Sequence, residues 1–172
     1  RQSGDLLRKF AFPAWAPILG ASIVQFVQVA LEVLVLIAML LVLVNVSWTW
    51  ILAIPVLLGL ALFAQGIGLV LSILNARYGD VQYIVAVVLG ALYFITPILY
   101  PLAMVDGHGS WLADIVRANP VSWYVEAMHD AMYSLVAPSA LEIIGLLVLG
   151  AAVFVIGLAI FDRTSEDIGE LL

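Results

Sequence analysis

The sequence predicts an all-α polytopic membrane protein, and two observations, its composition and its apolar runs, lead to that fold class. Hydrophobic residues make up 65% of the 172-residue chain and charged residues only 10%. A soluble domain of this length has too much surface to be covered by so few charges. Apolar runs long enough to cross a bilayer follow one another between short polar stretches. Cysteine is absent, which excludes a disulfide framework and a thiolate metal site.

We expect a single transmembrane domain over residues 1–172, with four spans joined by connecting segments. The spans are predicted at 17–44, 50–75, 81–96 and 141–161. The remaining segments are a basic amphipathic stretch at 1–16, a sizeable segment between spans at 97–137 and an acidic tail at 162–172.

The positions of the cations predict how the spans are oriented. In a four-span arrangement one side of the membrane receives Arg1, Arg8, Lys9, Arg77 and Arg163. The opposite side receives Arg117 alone. Because cytoplasmic segments carry the excess of Lys and Arg, we expect both ends of the chain in the cytoplasm and 97–137 outside.

Polar side chains form a stripe along the first span. Ser22, Gln25, Gln28 and Glu32 recur at helical spacing and so share one sector of the helix. An ionised carboxylate in the hydrocarbon core costs at least about 2.5 kcal/mol, so this stripe should face protein or a wet cavity. Two interpretations of Glu32 stay open: a protonated residue bonded to a neighbouring helix, or a residue of a transport path.

Two prolines four residues apart interrupt the third span near its end. Pro97 and Pro101 each remove a backbone donor and crowd the preceding turn, which predicts a break here. Tyr93, Phe94 and Tyr100 flank the break. Lipid tolerates irregular backbone only where protein or water covers it. The break therefore indicates either a re-entrant segment beside a pathway or an ordinary helix end before a Pro-containing loop.

Small residues in the second span predict a helix-packing face. Ala64, Gly68 and Ser72 recur at every fourth residue, and Gly59 and Gly66 add further thin surface. Small residues let helix backbones approach closely in lipid, where no hydrophobic drive acts between helices. We expect this face to serve packing alone.

The segment after the break predicts two short helices, at 111–117 and 121–135, separated by Asn119-Pro120. By spacing, Glu126, His129 and Asp130 share one face of the second helix. A metal or proton-relay site is one interpretation of these three residues, and an ordinary polar helix face is the simpler one. We expect no bound metal.

Several classes of protein lack their sequence signatures here. The single lysine, Lys9, follows no glycine-rich loop, so no phosphate-cradling ATPase motif is present. His108 and His129 form no zincin pair, no Gly-x-Ser-x-Gly elbow occurs, and no basic aromatic patch suits nucleic acid. We therefore expect a transport subunit rather than an enzyme, with energy supplied by a partner or an ion gradient.

Several short motifs occur in a fixed order along the chain. They are Leu7-Arg8-Lys9-Phe10-Ala11-Phe12-Pro13, Leu74-Asn75-Ala76-Arg77-Tyr78-Gly79-Asp80-Val81, Thr96-Pro97-Ile98-Leu99-Tyr100-Pro101, Ala118-Asn119-Pro120-Val121 and the ending at Phe161. Their order and spacing resemble the membrane subunit of type-2 ABC exporters, over nearly the whole chain. The nearest branch exports lipid-linked polysaccharides such as O antigen, teichoic acid and cell-wall galactan. That branch usually has Arg-Asp in place of Gly79-Asp80 and Ser-Pro in place of Thr96-Pro97.

The resemblance implies roles for particular residues. In this family the first motif belongs to a coupling helix that docks into an ATP-binding subunit, which implies that role for Leu6, Arg8, Lys9, Phe10, Phe12 and Pro13. The family also folds its outer segment into re-entrant helices near the channel exit, and it lines glycan channels partly with aromatic rings. The candidate pathway residues are Gln25, Gln28, Glu32, Tyr93, Phe94, Tyr100, Trp123 and Tyr124.

The same resemblance implies partners and a location. The chain would be the C-terminal part of a six-span permease subunit in the bacterial plasma membrane, preceded by a gate helix and two spans. A second permease subunit, as a homodimer, and two ATP-binding subunits would complete the transporter. ATP and Mg would bind the ATP-binding subunits, so no cofactor is expected in this chain. The substrate would be a lipid-linked glycan whose carrier contacts membrane lipid.

Export of a drug or small lipid, and ion-coupled transport through Glu32, stay open as alternatives.

Overall fold

The computed structural model describes residues 16–43, 46–98, 100, 104 and 111–169. These residues form helices and no strand, which confirms the all-α fold class. The elements are α1 (Ala16–Val42), α2 (Trp50–Tyr78), α3 (Val81–Ile95), α4 (Trp111–Ala118), α5 (Pro120–His129), the π-helix π1 (Asp130–Ser134) and α6 (Ala140–Gly169).

Among the described helices, three have the length and apolar composition of a membrane span: Gly20–Val42 within α1, Trp50–Tyr78, and Ala140–Thr164 within α6. They lie at the first, second and last predicted spans, and they confirm a polytopic membrane protein. α3 lies at the third but has 15 residues. That length gives about 22 Å of helix, against a hydrocarbon core of about 30 Å. A crossing at α3 would need the chain beyond the break, so the four-span count stays a prediction.

The turn between α2 and α3 is shorter than the polar stretch 75–80 suggested. α2 continues to Tyr78 and is closed by Gly79, whose φ of 71° places it in the left-handed region that glycine tolerates. Asn75 Oδ1 accepts a hydrogen bond from the backbone N of Gln82 at 3.1 Å. The Asn75 side chain thus joins the end of α2 to the start of α3 while its own backbone stays helical.

The last helix extends beyond its apolar part. The predicted span ends at Phe161, whereas α6 continues to Gly169. Asp162 and Arg163 end the apolar segment but continue the helix. Charged residues are compatible with helical backbone, so a change in polarity does not end a helix. The span and the helix therefore have different C-terminal boundaries.

The chain divides into two compact units, residues 1–46 and residues 47–172. The first unit contains α1. The second contains α2 to α6 and holds a hydrophobic core formed by α2, α5 and α6. Its buried members are Val56, Phe63, Tyr124, Ala127, Ile143 and Leu146.

Paired glycines bring α2 and α6 into direct backbone contact. A Cβ added at Gly150 would overlap the carbonyl oxygen of Gly59, and one added at Gly157 would overlap that of Gly66. The two glycines of each helix are about two turns apart, so the backbones meet at two successive levels. Close packing of this kind is what holds helices together in lipid.

This contact uses only some of the small residues predicted to form a packing face in the second span. Gly59 and Gly66 lie in the contact, but no atom of another described element lies within 4 Å of a Cβ at Gly68. Ala64 and Ser72 are also exposed. The contact with α6 therefore uses Gly59 and Gly66, which match the spacing of the glycines in α6. A packing role for the residues that recur every fourth position stays a prediction.

We expect Gly66→Ala to destabilise the protein, because its Cβ would lie 2.5 Å from the carbonyl oxygen of Val153. Overpacking of this kind lowers the free energy of unfolding by about 1–3 kcal/mol. Gly68→Ala is the matched control in the same helix, where alanine should be neutral or stabilise by up to about 1 kcal/mol. Thermal unfolding of the purified protein in detergent measures both. A Gly66→Ala variant as stable as Gly68→Ala would contradict the contact.

Candidate functional site

α3 ends at Ile95, immediately before Thr96-Pro97. Thr96 has φ −76° and ψ 134°, the extended conformation that a following proline favours. Both Thr96 and Pro97 are buried. The second proline, Pro101, lies outside the described residues. Whether the chain after Pro97 re-enters the membrane stays a prediction.

α5 begins with a capped N-terminus. Asn119 has extended backbone, and its Oδ1 accepts a hydrogen bond from the backbone N of Val121 at 3.0 Å. Pro120 occupies the first helical position, where the missing N–H costs no hydrogen bond. Asn119-Pro120 therefore separates α4 from α5 and fixes where α5 starts.

The same asparagine side chain contacts the end of α3. Asn119 Nδ2 donates a hydrogen bond to Thr96 Oγ1 at 2.9 Å. The exposed fractions of Thr96 and Asn119 are 1% and 9%. A buried amide or hydroxyl without a partner is costly, so each group stabilises the burial of the other. One side chain thus starts α5 and joins it to α3.

Two further buried hydrogen bonds join α5 and π1 to the long helices. Thr49 lies just before α2, and its Oγ1 donates to the carbonyl oxygen of Ala131 in π1 at 2.7 Å. The Tyr124 hydroxyl donates to the carbonyl oxygen of Leu146 in α6 at 2.7 Å. The α5–π1 segment is therefore bonded to three different apolar elements: α3, α2 and α6.

Sequence reasoning missed these three bonds. Thr49, Thr96 and Asn119 each stand next to a helix terminus, which was the available signal, because such residues commonly cap helices. The signal predicts that these side chains bond to backbone nearby. It does not identify partners 23 and 82 residues away along the chain.

The predicted pathway aromatics occupy three environments. Tyr93 and Phe94 are exposed and lie edge to face, with centroids 5.6 Å apart. The Tyr100 hydroxyl bonds to the carbonyl oxygens of Phe94 at 3.2 Å and Ile95 at 2.9 Å, at the end of α3. Trp123 is partly exposed, and its indole N–H donates to the carbonyl oxygen of Arg117 at 2.7 Å.

Tyr124, by contrast, is a core residue in this structure. Its exposed fraction is 0%, and its ring packs against Phe63 with centroids 5.8 Å apart. No face of the ring is open to a ligand in this conformation. The aromatic cluster of the sequence is thus divided between exposed rings at the end of α3, Trp123 at the surface of α5, and Tyr124 inside.

A cleft of about 350 Å³ lies between α5 and α6. It is lined by Trp123, Glu126, Glu142, Gly145, Leu146 and Leu149. The Glu142 carboxylate accepts from the backbone N of Ser139 at 3.3 Å, so it is held at the N-terminus of α6. An aromatic face beside carboxylate acceptors suits a ligand with an apolar face and hydroxyl groups, such as a sugar.

The polar stripe of α1 is exposed within its unit. Gln25, Gln28 and Glu32 all lie on the surface of the helix. Gln28 Nε2 donates to Glu32 Oε1 at 3.1 Å, one turn apart. This hydrogen bond lies within α1, and both interpretations of Glu32 stay predictions.

The polar residues near π1 form no cluster with the composition of a metal site. Among the described residues no group of three or more His, Asp or Glu side chains is placed to hold a metal ion. Burial raises the pKa of the Asp130 carboxyl, and the nearby Glu142 carboxylate raises it further, whereas His129 lowers it. The raised pKa has its main cause in desolvation.

The residues that the resemblance assigns to a coupling helix lie outside the described part of the chain. They are Leu6, Arg8, Lys9, Phe10, Phe12 and Pro13.

Comparison with known proteins gives a family and named relatives. Residues 3–133 match the ABC-2 type transporter family. An O-antigen export system permease protein RfbA from Klebsiella pneumoniae is 28% identical over 121 residues, which are 69% of this chain and 45% of that protein. A protein of the same name from Myxococcus xanthus is 25% identical over 167 residues, 96% of this chain and 64% of that protein. No solved structure matches the chain.

The chain spans about half to two thirds of the length of these relatives. The family match covers α1 to α5 and all of π1 except Ser134, and it does not reach α6. On the strength of that match, the chain belongs to the ABC-2 type transporter family of membrane permeases.

Proposed function

We propose that the chain is the permease part of an ATP-driven exporter that moves a lipid-linked polysaccharide across the bacterial plasma membrane. The observation that carries this proposal is the similarity to O-antigen export permeases from two genera, one of them along 96% of the chain. O antigen is a polysaccharide, so a related glycan is the substrate class we infer.

The exposed rings fit a polysaccharide path. Sugars present C–H faces that stack on aromatic rings without selecting one sequence of hydroxyl groups. Tyr93 and Phe94 offer such rings at the end of α3, and Trp123 offers one beside the Glu126 and Glu142 carboxylates. The rings would stack on the sugar C–H faces, and the carboxylates would accept hydrogen bonds from the sugar hydroxyl groups.

The energy for export would come from a partner. The sequence carries no phosphate-cradling motif. We infer that two ATP-binding subunits hold ATP and Mg and act on the basic segment at 1–16, while a second permease subunit completes the channel. ATP binding would move that segment, and the movement would open a route for the glycan as its lipid carrier follows the protein–membrane boundary.

Alanine substitution of Arg8, Lys9 and Phe10 together is expected to uncouple hydrolysis from export. These residues supply two charges and a ring for docking, so their loss should leave the ATP-binding subunit poorly attached. The measurement is polysaccharide exported per ATP hydrolysed in reconstituted vesicles, with co-purification of the ATP-binding subunit beside it. We expect a reduction of at least about tenfold, corresponding to loss of one strong contact.

Gln2→Ala, a neutral change in the same segment, is the control for this triple variant and should export normally. Normal coupling in the triple variant would contradict the docking role. If Glu32→Gln instead abolished transport while the triple variant remained active, ion-coupled transport through Glu32 would replace the ATP-driven account.

Trp123→Ala is expected to weaken glycan handling at the cleft between α5 and α6. Loss of about 1 kcal/mol of stacking corresponds to a roughly fivefold rise in the half-saturating glycan concentration. Trp123→Phe keeps a ring but loses the N–H bond to Arg117, so it separates stacking from that hydrogen bond. Trp48→Ala removes an exposed tryptophan ahead of α2 and is the control. Equal half-saturation in all variants would exclude Trp123 from the path.

A further inference from the structure

The attachment of α5 to α2 and α6 is extensive. Tyr124 and Ala127 of α5 belong to the same buried core as Phe63 of α2 and Leu146 of α6. Two buried hydrogen bonds, Thr49 to the Ala131 carbonyl and Tyr124 to the Leu146 carbonyl, add to this packing. We call α2, α5, π1 and α6 the packed block, because apolar burial and hydrogen bonds join all of its members.

α3 is attached to this block in a different way. None of its residues from Val81 to Ile95 is buried in this chain. Exposed fractions of 74% for both Val87 and Phe94 illustrate how little of its apolar surface packs on the block. Close packing within this chain therefore holds α3 far less firmly than it holds α5.

Hydrogen bonds of two asparagine side chains, rather than buried apolar residues, hold the ends of α3 in place. At its start, Asn75 of α2 accepts from the backbone N of Gln82. At its end, Asn119 donates to Thr96 at 2.9 Å in a buried site. The first bond is exposed and lies beside Gly79, a residue with positive φ. The second is buried and connects α3 directly to the start of α5.

We propose that the Thr96–Asn119 hydrogen bond is a latch that holds the end of α3 against the packed block, and that Thr96 and Asn119 are positioning residues for export. α3 and α5 carry the exposed aromatic residues of the path, so the latch sets the distance between those rings. Separation of α3 from α5 during transport requires this bond to break. The proposal rests on the proposed function, since it assigns the latch to the exit of the exported glycan.

The local chemistry allows the bond to break without unfolding either helix. Asn119 caps α5 through Oδ1, and this cap does not depend on Nδ2. Thr96 keeps its extended backbone because of Pro97 rather than because of its hydroxyl. Both helix ends therefore survive when only the side-chain bond is lost.

Spin-label distances between α3 and the packed block test the latch without any substrate. The chain has no cysteine. Cysteines placed at Ala91 and Ile144, both exposed, can therefore be labelled selectively. Thr96→Val keeps the shape and β-branching of threonine but removes the hydroxyl, whereas Thr96→Ser keeps it. Labelled protein is diluted with unlabelled protein in lipid nanodiscs, so that distances within one chain dominate.

We expect Thr96→Val to raise the ratio of displaced to held conformers about fivefold, as loss of one hydrogen bond predicts. Thr96→Ser should match the wild type. Asn119→Ser keeps an oxygen for the cap but is too short to reach Thr96, so it should behave like Thr96→Val. The double variant should show no further increase, because both changes remove the same bond. Unchanged distances in Thr96→Val, or additive effects in the double variant, would overturn the latch.

The same variants in the complete transporter test the positioning role. Thr96→Val should keep ATP hydrolysis but lower polysaccharide exported per ATP about fivefold, and Thr96→Ser should restore it. Altered distances with an unchanged export ratio would overturn the role in transport. If the wild type exported no polysaccharide, the proposed function would fail, while the distance measurement would still decide on the latch.

Discussion

The absence of a side chain at Gly59 is the constraint on which the rest of the second unit depends. A Cβ there would lie 3.1 Å from Tyr124 Cε1 and 3.2 Å from the Leu146 carbonyl oxygen. Gly59 thus leaves the space in which the Tyr124 hydroxyl reaches that carbonyl. In lipid, where apolar surface gives no net drive between helices, such close contact and internal hydrogen bonding must supply the stability.

Placement of α5 follows from this contact, and the candidate site follows from α5. With Tyr124 seated between α2 and α6, Trp123 faces outward beside the cleft, and Asn119 reaches Thr96 at the end of α3. The closely packed α2–α6 pair therefore carries a short helix that, within the described residues, is joined to the end of α3 by a buried side-chain hydrogen bond. In the proposed exporter, this arrangement would supply a stable frame and an element able to move against it.

The parts of this arrangement that the sequence predicted are those set by residues close together along the chain. Apolar length placed the long helices, a proline ended α3 after Ile95, and Asn119-Pro120 separated two short helices. Contacts between helices were not predictable in the same way. The glycines of α2 that pack closely are the ones that lie opposite glycines of α6. Tyr124 is a core residue because Gly59 lies opposite it and leaves room for its ring. Which residues meet depends on the sequences of both helices in a pair, so neither helix alone predicts the contact.

Hydrogen–deuterium exchange of the α5 amides measures whether Gly59 determines the placement of α5, with Gly59→Leu compared with Gly68→Leu in the same helix. A leucine at Gly59 would occupy the space of the Tyr124 ring, whereas no atom of another described element lies within 4 Å of a Cβ at Gly68. The account predicts that α5 loses protection in Gly59→Leu and keeps it in Gly68→Leu. Equal protection of α5 in both variants would contradict it.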